Sequence, residues 1–151
     1  MRSFYSRAAV LSVALLSLGA CGKKADQTSS QSSGGAIAPA SGAVQISDVS
    51  LGRGISPDKR VANQMDTFAS RDTIYASVHT TGAQANTNLT ARWTFQDGQV
   101  VNERTETISP SGDAYTEFHI SKPSGWPAGR YTLHLLVNNQ EVQTKDFSVT
   151  Q

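Results

Sequence analysis

The chain predicts an all-β fold, a seven-stranded antiparallel two-sheet sandwich over residues 44–151, preceded by a leader and a flexible segment. Three observations predict it. From Val44 onward large apolar residues recur with period two, the spacing that puts alternate side chains on one face of a strand. Turn residues punctuate that pattern about every 8 to 15 positions, as short sandwich strands require. After the first 20 residues no window carries the 3.6-residue apolar repeat of an amphipathic helix.

Val44, Ile46 and Val49-Ser50-Leu51 open the first strand, with a break of phase near Ser47-Asp48. In the second, Ile74, Ala76, Val78 and Thr80 alternate with Tyr75, Ser77 and His79. The third has the clearest inward face, Leu89, Ala91, Trp93 and Phe95, with Thr90, Arg92 and Thr94 outward. Asp97-Gly98 then predicts a two-residue hairpin with both turn residues at positive φ. Val100 to Thr107 returns as a polar strand suited to a sheet edge, and Thr116, Phe118 and Ile120 mark the inner face of the fifth. Tyr131, Leu133, Leu135 and Val137 form the sixth, Asn138-Asn139 the next hairpin, and Glu141 to Val149 the last strand. Val142 is out of phase there with Phe147 and Val149, which predicts a bulge between them.

The leader has its own logic. Arg2 and Arg7 give a basic start, and Ala8 to Leu18 are apolar apart from Ser12 and Ser17. That run is too short to span a bilayer, which takes roughly 20 apolar residues, but it suits the core of a secretory signal. It ends in Leu18-Gly19-Ala20-Cys21, which resembles the lipobox of bacterial lipoproteins. The resemblance implies that residues 1–20 are a signal peptide removed on export, and that the Cys21 thiol carries a lipid as the new N-terminus. It implies a lipid-anchored protein of the bacterial envelope with the membrane as one partner. Gly22 stands where an inner-membrane retention signal would place Asp, which favours the outer membrane, facing the periplasm.

Residues 21–43 form the expected tether. Ile37 is its single large apolar side chain, so the segment cannot offset its ordering entropy. As a Gly/Ser-type coil of 22 residues after the cysteine it spans roughly 25 Å. Cys21 is the only cysteine, so the domain from residue 44 has no internal disulfide and rests on apolar packing. Without Arg2 and Arg7 the 13 basic residues fall to 11 against 12 acidic ones, a net charge of −1. From Val44 the counts are 9 and 11, net −2, a surface with no electrostatic reason to bind nucleic acid.

Two features make the sandwich similar to the immunoglobulin-like family. Gly129-Arg130-Tyr131-Thr132-Leu133 resembles the tyrosine corner, in which a tyrosine opening the sixth strand bonds back to the preceding turn. Trp93 falls on the third strand, where such domains place a central tryptophan. The family's two cysteines are absent, and Val78 or Ala76 with Leu133 stand in their places. The segment from Trp126 to Val149 is similar to the C-terminal hairpin of many bacterial envelope modules of this kind. The resemblance implies an architecture and no chemistry, since this superfold hosts many functions.

No catalytic motif emerges from the residues themselves. His79 and His119 fall on strands expected to pair, displaced by roughly 13 Å along them, and His134 falls on the opposite sheet, so three ligands around one metal are not expected. Glu103 and Glu106 lie on opposite strand faces, and neither a Gly-x-Ser-x-Gly elbow nor a phosphate-cradling loop occurs. The chain reads as a non-enzyme without a cofactor. The stretch Gly52 to Arg71 is more informative, because twenty aperiodic residues inside a compact domain are often functional. Asp58, Lys59, Arg60 and Met65 there are candidate binding residues, while Val61 and Phe68 can plug the end of the core. Trp126 before Pro127 is the other candidate, as a contact anchor or as cover for the tyrosine-corner turn. Two functions fit: a non-enzymatic module binding an envelope protein partner, or a ligand-capture or enzyme-accessory domain recognising a sugar, peptide or small molecule through residues 52–71.

Overall fold

The computed structural model describes residues 42–151. The leader, Cys21 and residues 21–41 of the tether lie outside the described residues. Eight strands follow one another: β1 (Gln45–Gly52), β2 (Thr67–Ala69), β3 (Ile74–Thr81), β4 (Thr87–Phe95), β5 (Val100–Ile108), β6 (Ala114–Ile120), β7 (Gly129–Val137) and β8 (Gln140–Thr150). They form two sheets, β1-β3-β6 and β2-β8-β7-β4-β5. The polar strand β5 lies at a sheet edge, as its composition requires.

The structure adds one strand to the seven expected. β2 is three residues long and pairs parallel to β8 through Thr67–Ser148, Phe68–Val149 and Ala69–Thr150, so the sandwich is not wholly antiparallel. It hides in the aperiodic stretch because a three-residue strand with one inward side chain, Phe68, has no alternation to display.

Three bulges reconcile the apolar pattern with the pleat. In β1, Ile46 pairs with Thr80 and Asp48 with His79, leaving Ser47 as the extra residue. Ile46 and Val49 can therefore both face the core despite their odd spacing. In β8 the register steps from Leu135–Gln143 to Leu136–Glu141, so Val142 is itself the extra residue and stands 51% exposed. The break lies at Val142, not between it and Phe147. A third bulge, at Val101 of β5, follows the step from Trp93–Asn102 to Thr94–Val100.

The two hairpins differ. Asn138 and Asn139 have φ of 51° and 68°, the double left-handed turn that matches strand twist. At Asp97-Gly98 only Gly98 is left-handed, at φ 81°. Gly98 N–H donates to the Phe95 carbonyl at 2.7 Å, and Phe95 N–H to the Gln99 carbonyl at 2.9 Å. The loop is therefore three residues, Gln96 to Gly98, with Asp97 Oδ1 accepting from Gln99 N–H at 2.9 Å.

The core lies between the sheets. Trp93, Leu89, Ala91, Leu133 and Leu135 from one sheet and Ile74, Ala76, Val78, Phe118 and Leu51 from the other are all within 1% of complete burial. Phe147 is an aromatic hub, edge-on to Phe68 at 5.7 Å and to Trp93 at 5.6 Å, and stacked on Tyr131 at 5.2 Å. Ala76, Val78 and Leu133 are fully buried aliphatic residues of this core. Burial of this kind stabilises by about 25 cal/mol per Å² of apolar surface.

Candidate functional site

The stretch between β1 and β2 is a folded strap, tied at both ends. Met65 N–H donates to the Leu51 carbonyl at 2.9 Å, and Ile55 pairs with Val61 across a small antiparallel bridge. Gly52 is where the strap crosses β1, and a Cβ there would collide with the Val61 side chain and the Asn63 carbonyl. Phe68, 1% exposed, and the half-buried Met65 pack on the core and close that end of the sandwich. Val61, paired with it in the sequence-based reading as a plug, is half-buried beside Gly52 instead.

Asp58, Lys59 and Arg60 form the tip of the bridge. Lys59 N–H donates to the Ser56 carbonyl and Ser56 N–H to the Arg60 carbonyl, both at 2.8 Å, with Lys59 at φ 64°. Asp58 and Arg60 pair at 3.5 Å with both side chains about 60% exposed, so the pair adds little stability. The same guanidinium also reaches the outer face of the sheet. The guanidinium carbon lies 4.4 Å from the centre of the Tyr115 ring on β6, and that ring stacks on His79 of β3 at 4.5 Å with an 8° interplanar angle.

The result is a partly exposed stack of cation, phenol and imidazole on the outer face of the three-stranded sheet. Ser47, the extra residue of the β1 bulge, completes it with its hydroxyl 2.8 Å from His79 Nδ1 and 3.2 Å from the His79 carbonyl. Both contacts are satisfied when Nδ1–H donates to the hydroxyl and the hydroxyl donates to the carbonyl. The serine proton then points at a backbone acceptor, the opposite of an activated nucleophile. One position along the same face, Glu117 contacts His119 Nδ1 at 2.9 Å, and His119 leans on Tyr75 at 5.4 Å.

The other candidates do not join this stack. Met65 lines a dent of about 300 Å³ with Arg53, Gly54, Ala62 and Asn63. Trp126 is 6% exposed, its ring edge-on to Tyr131 at 6.3 Å, with Lys122 Nζ 5.8 Å from the ring centre. Its backbone N–H donates to the Ser70 carbonyl at 2.7 Å, so it covers the turn that the tyrosine corner closes and offers no ring face to a contact partner. Tyr131 Oη donates to the Pro127 carbonyl at 2.8 Å, and burial pushes the hydroxyl's pKa up.

The outer face of the five-stranded sheet is polar. Thr90 and Thr94 point outward as expected yet are buried, bonded to Thr105 at 2.7 Å and to His134 Nε2 at 3.1 Å. His134 Nδ1 meets Glu141 at 2.9 Å, and Arg92 pairs with Glu103, whose hydrogen bond and charge hold the guanidinium above its ordinary pKa. An open depression of about 510 Å³ beside Arg130, Thr132, Asp146 and Asp66 mixes charged and hydroxyl groups with apolar surface from Tyr131 and Phe147. The register puts His119 opposite Tyr75 and His79 opposite Tyr115, four positions apart, with His134 on the other sheet. Among the described residues no three metal-ligating side chains converge.

The fold has solved counterparts. The chain is similar to an immunoglobulin-like protein from Pseudomonas aeruginosa, with 16% identity over 74% of this chain and 99% of that one, at a TM-score of 0.52. The domain is an immunoglobulin-like sandwich. It is also similar to the C-terminal domain of wzt, with 13% identity over 74% of this chain and 76% of that one, at a TM-score of 0.50. At these identities the likeness is one of fold. No family model matches the sequence, and no curated protein matches it.

Proposed function

We propose that this chain is a lipid-anchored protein of the bacterial envelope, held through Cys21, whose immunoglobulin-like domain is a non-enzymatic binding or assembly module. The anchor rests on the basic lead, the apolar run and Leu18-Gly19-Ala20-Cys21. The observation that carries the binding reading is the Arg60–Tyr115–His79 stack, because arginine and tyrosine are the residue types that dominate contact energies. Its members are held by a bulge, a bridge, the central strand β3 and the edge strand β6, so a partner meets a preorganised surface.

Ligand capture beneath residues 52–71 fits less well. The strap is stitched to β1 with a glycine at the crossing, and Met65 and Phe68 pack on the core. The dent beside Met65, about 300 Å³, is at the small end of ligand pockets.

Metabolic labelling with a radioactive fatty acid tests the anchor. The parent protein is expected to incorporate label and fractionate with the outer membrane, and Cys21→Ser to do neither. Labelling undiminished by that substitution overturns the anchor.

A further inference from the structure

The two sheets present four edge strands, and three are blunted. β2 is only three residues long, β1 is interrupted by the Ser47 bulge, and β5 combines the Val101 bulge with Glu103, Arg104 and Glu106. β6 is neither short nor bulged, and Glu117 is its single acidic residue. It pairs with β3 through seven consecutive positions, Ala114 to Ile120, without a register shift, and contains neither lysine nor proline. Among the described residues it has no partner strand on its other side. Among the described residues no backbone hydrogen bond reaches β6 from outside the ladder with β3. An unblunted edge of this length is a template for another strand.

We infer that the free edge of β6 is where a second copy of this chain pairs, antiparallel and two-fold symmetric. The inner face requires it to meet its own kind: Thr116, Phe118 and Ile120 are within 3% of complete burial, so matching faces need pairings of even total. Centring the axis on Glu117 sets that carboxylate against its own copy, which is unfavourable. Centring it on Phe118 instead sets Glu117 of each copy opposite His119 of the other, twice over. Glu117 and His119 already contact each other at 2.9 Å with side chains 28% and 44% exposed, so both can reach across. An imidazole N–H donates to a carboxylate whether the ring is charged or neutral, so the pairing does not depend on protonation. A two-fold pairing consumes both edges and closes at the dimer. This inference goes beyond the envelope-binding reading, which stands or falls separately.

Cysteine crosslinking in the intact, membrane-anchored protein tests the pairing and its register. Two full-length chains with different tags are co-expressed, one carrying Glu117→Cys and the other His119→Cys, and are treated with an oxidant. The expected result is a disulfide-linked heterodimer, far stronger than the product when both chains carry Glu117→Cys and absent when neither carries an added cysteine. Preferential crosslinking of Glu117→Cys to itself, capture of a chain of another mass, or no product above that control overturns the inference. Sedimentation of the intact protein in detergent gives an independent readout. Glu117→Lys should raise the dimer dissociation constant by about tenfold or more, and adding His119→Glu should recover most of that loss. A parent that sediments as a monomer throughout contradicts it as well.

Discussion

The Tyr131 hydroxyl donates to the carbonyl of Pro127 at 2.8 Å, closing the turn through which the chain passes into β7. Tyr131 is 2% exposed and stacks on Phe147, so one side chain serves the turn with its hydroxyl and the core with its ring. Tyr131→Phe keeps the ring and leaves a carbonyl without its partner. Denaturant unfolding should show a loss of about 1 to 3 kcal/mol. Because burial raises this hydroxyl's pKa in the folded state, its contribution is complete below the unfolded value of about 10 and fades as pH rises through the folded one. The parent should lose stability in that alkaline window, and the gap between parent and Tyr131→Phe should narrow there.

Trp93 has no exposed surface and touches the Phe147 ring edge-on at 5.6 Å. Trp93→Ala removes the largest fully buried side chain among the described residues and leaves a cavity between the sheets. Unfolding midpoints should report a loss of about 3 to 5 kcal/mol, much of the roughly 5 to 15 kcal/mol that holds such a domain together. Unchanged stability would contradict the inward register of β4.

Asn138 and Asn139 both occupy left-handed backbone, but only Asn138 uses its side chain, accepting from Asn88 N–H at 3.0 Å. Thermal unfolding should therefore separate them. Asn139→Gly should be neutral or slightly stabilising because it removes a Cβ from that conformation. Asn139→Ala keeps the Cβ, loses the tolerance of asparagine for left-handed backbone and should cost less than about 1 kcal/mol. Asn138→Gly should cost more than Asn139→Gly because it also loses the bond to Asn88.

The first strand begins at Gln45, and Val44 just before it is buried. A chain started at Ala43 should be soluble and unfold in one cooperative transition, measured by circular dichroism in urea. Aggregation of that chain beside a well-behaved longer one would move the domain boundary upstream.

Sequence reasoning reached the strands that advertise themselves by alternation, and it reached Trp93 and Tyr131 because large residues at fixed phase leave few other places to go. It missed β2, whose only inward side chain is Phe68 and whose partner strand lies about 80 residues away in the chain. It placed the β8 bulge beyond Val142 because an out-of-phase residue shows that a bulge exists without showing on which residue it falls. At Asp97-Gly98 it expected two left-handed residues, but pairing of Phe95 with Gln99 lengthened the loop by one. The Arg60–Tyr115–His79 stack was illegible for another reason. Arg60 comes from the strap, Tyr115 from β6 and His79 from β3, and only the register of β3 on β6 brings the last two together. For Trp126 the residues offered both an anchor and cover for the corner turn, and nothing local tells that its backbone N–H is tied inward to the Ser70 carbonyl.

The proposal of a membrane-anchored module that acts by binding an envelope protein is tested most directly by crosslinking the full-length protein in living cells. A photoreactive amino acid at Lys59, exposed at the tip beside Arg60, places the probe next to the stack without removing any of its members. The account predicts one discrete adduct with an envelope protein, lost on Cys21→Ser and weakened by Arg60→Ala or Tyr115→Ala. No protein adduct, with a small molecule co-purifying with the domain instead, would contradict it and favour ligand capture.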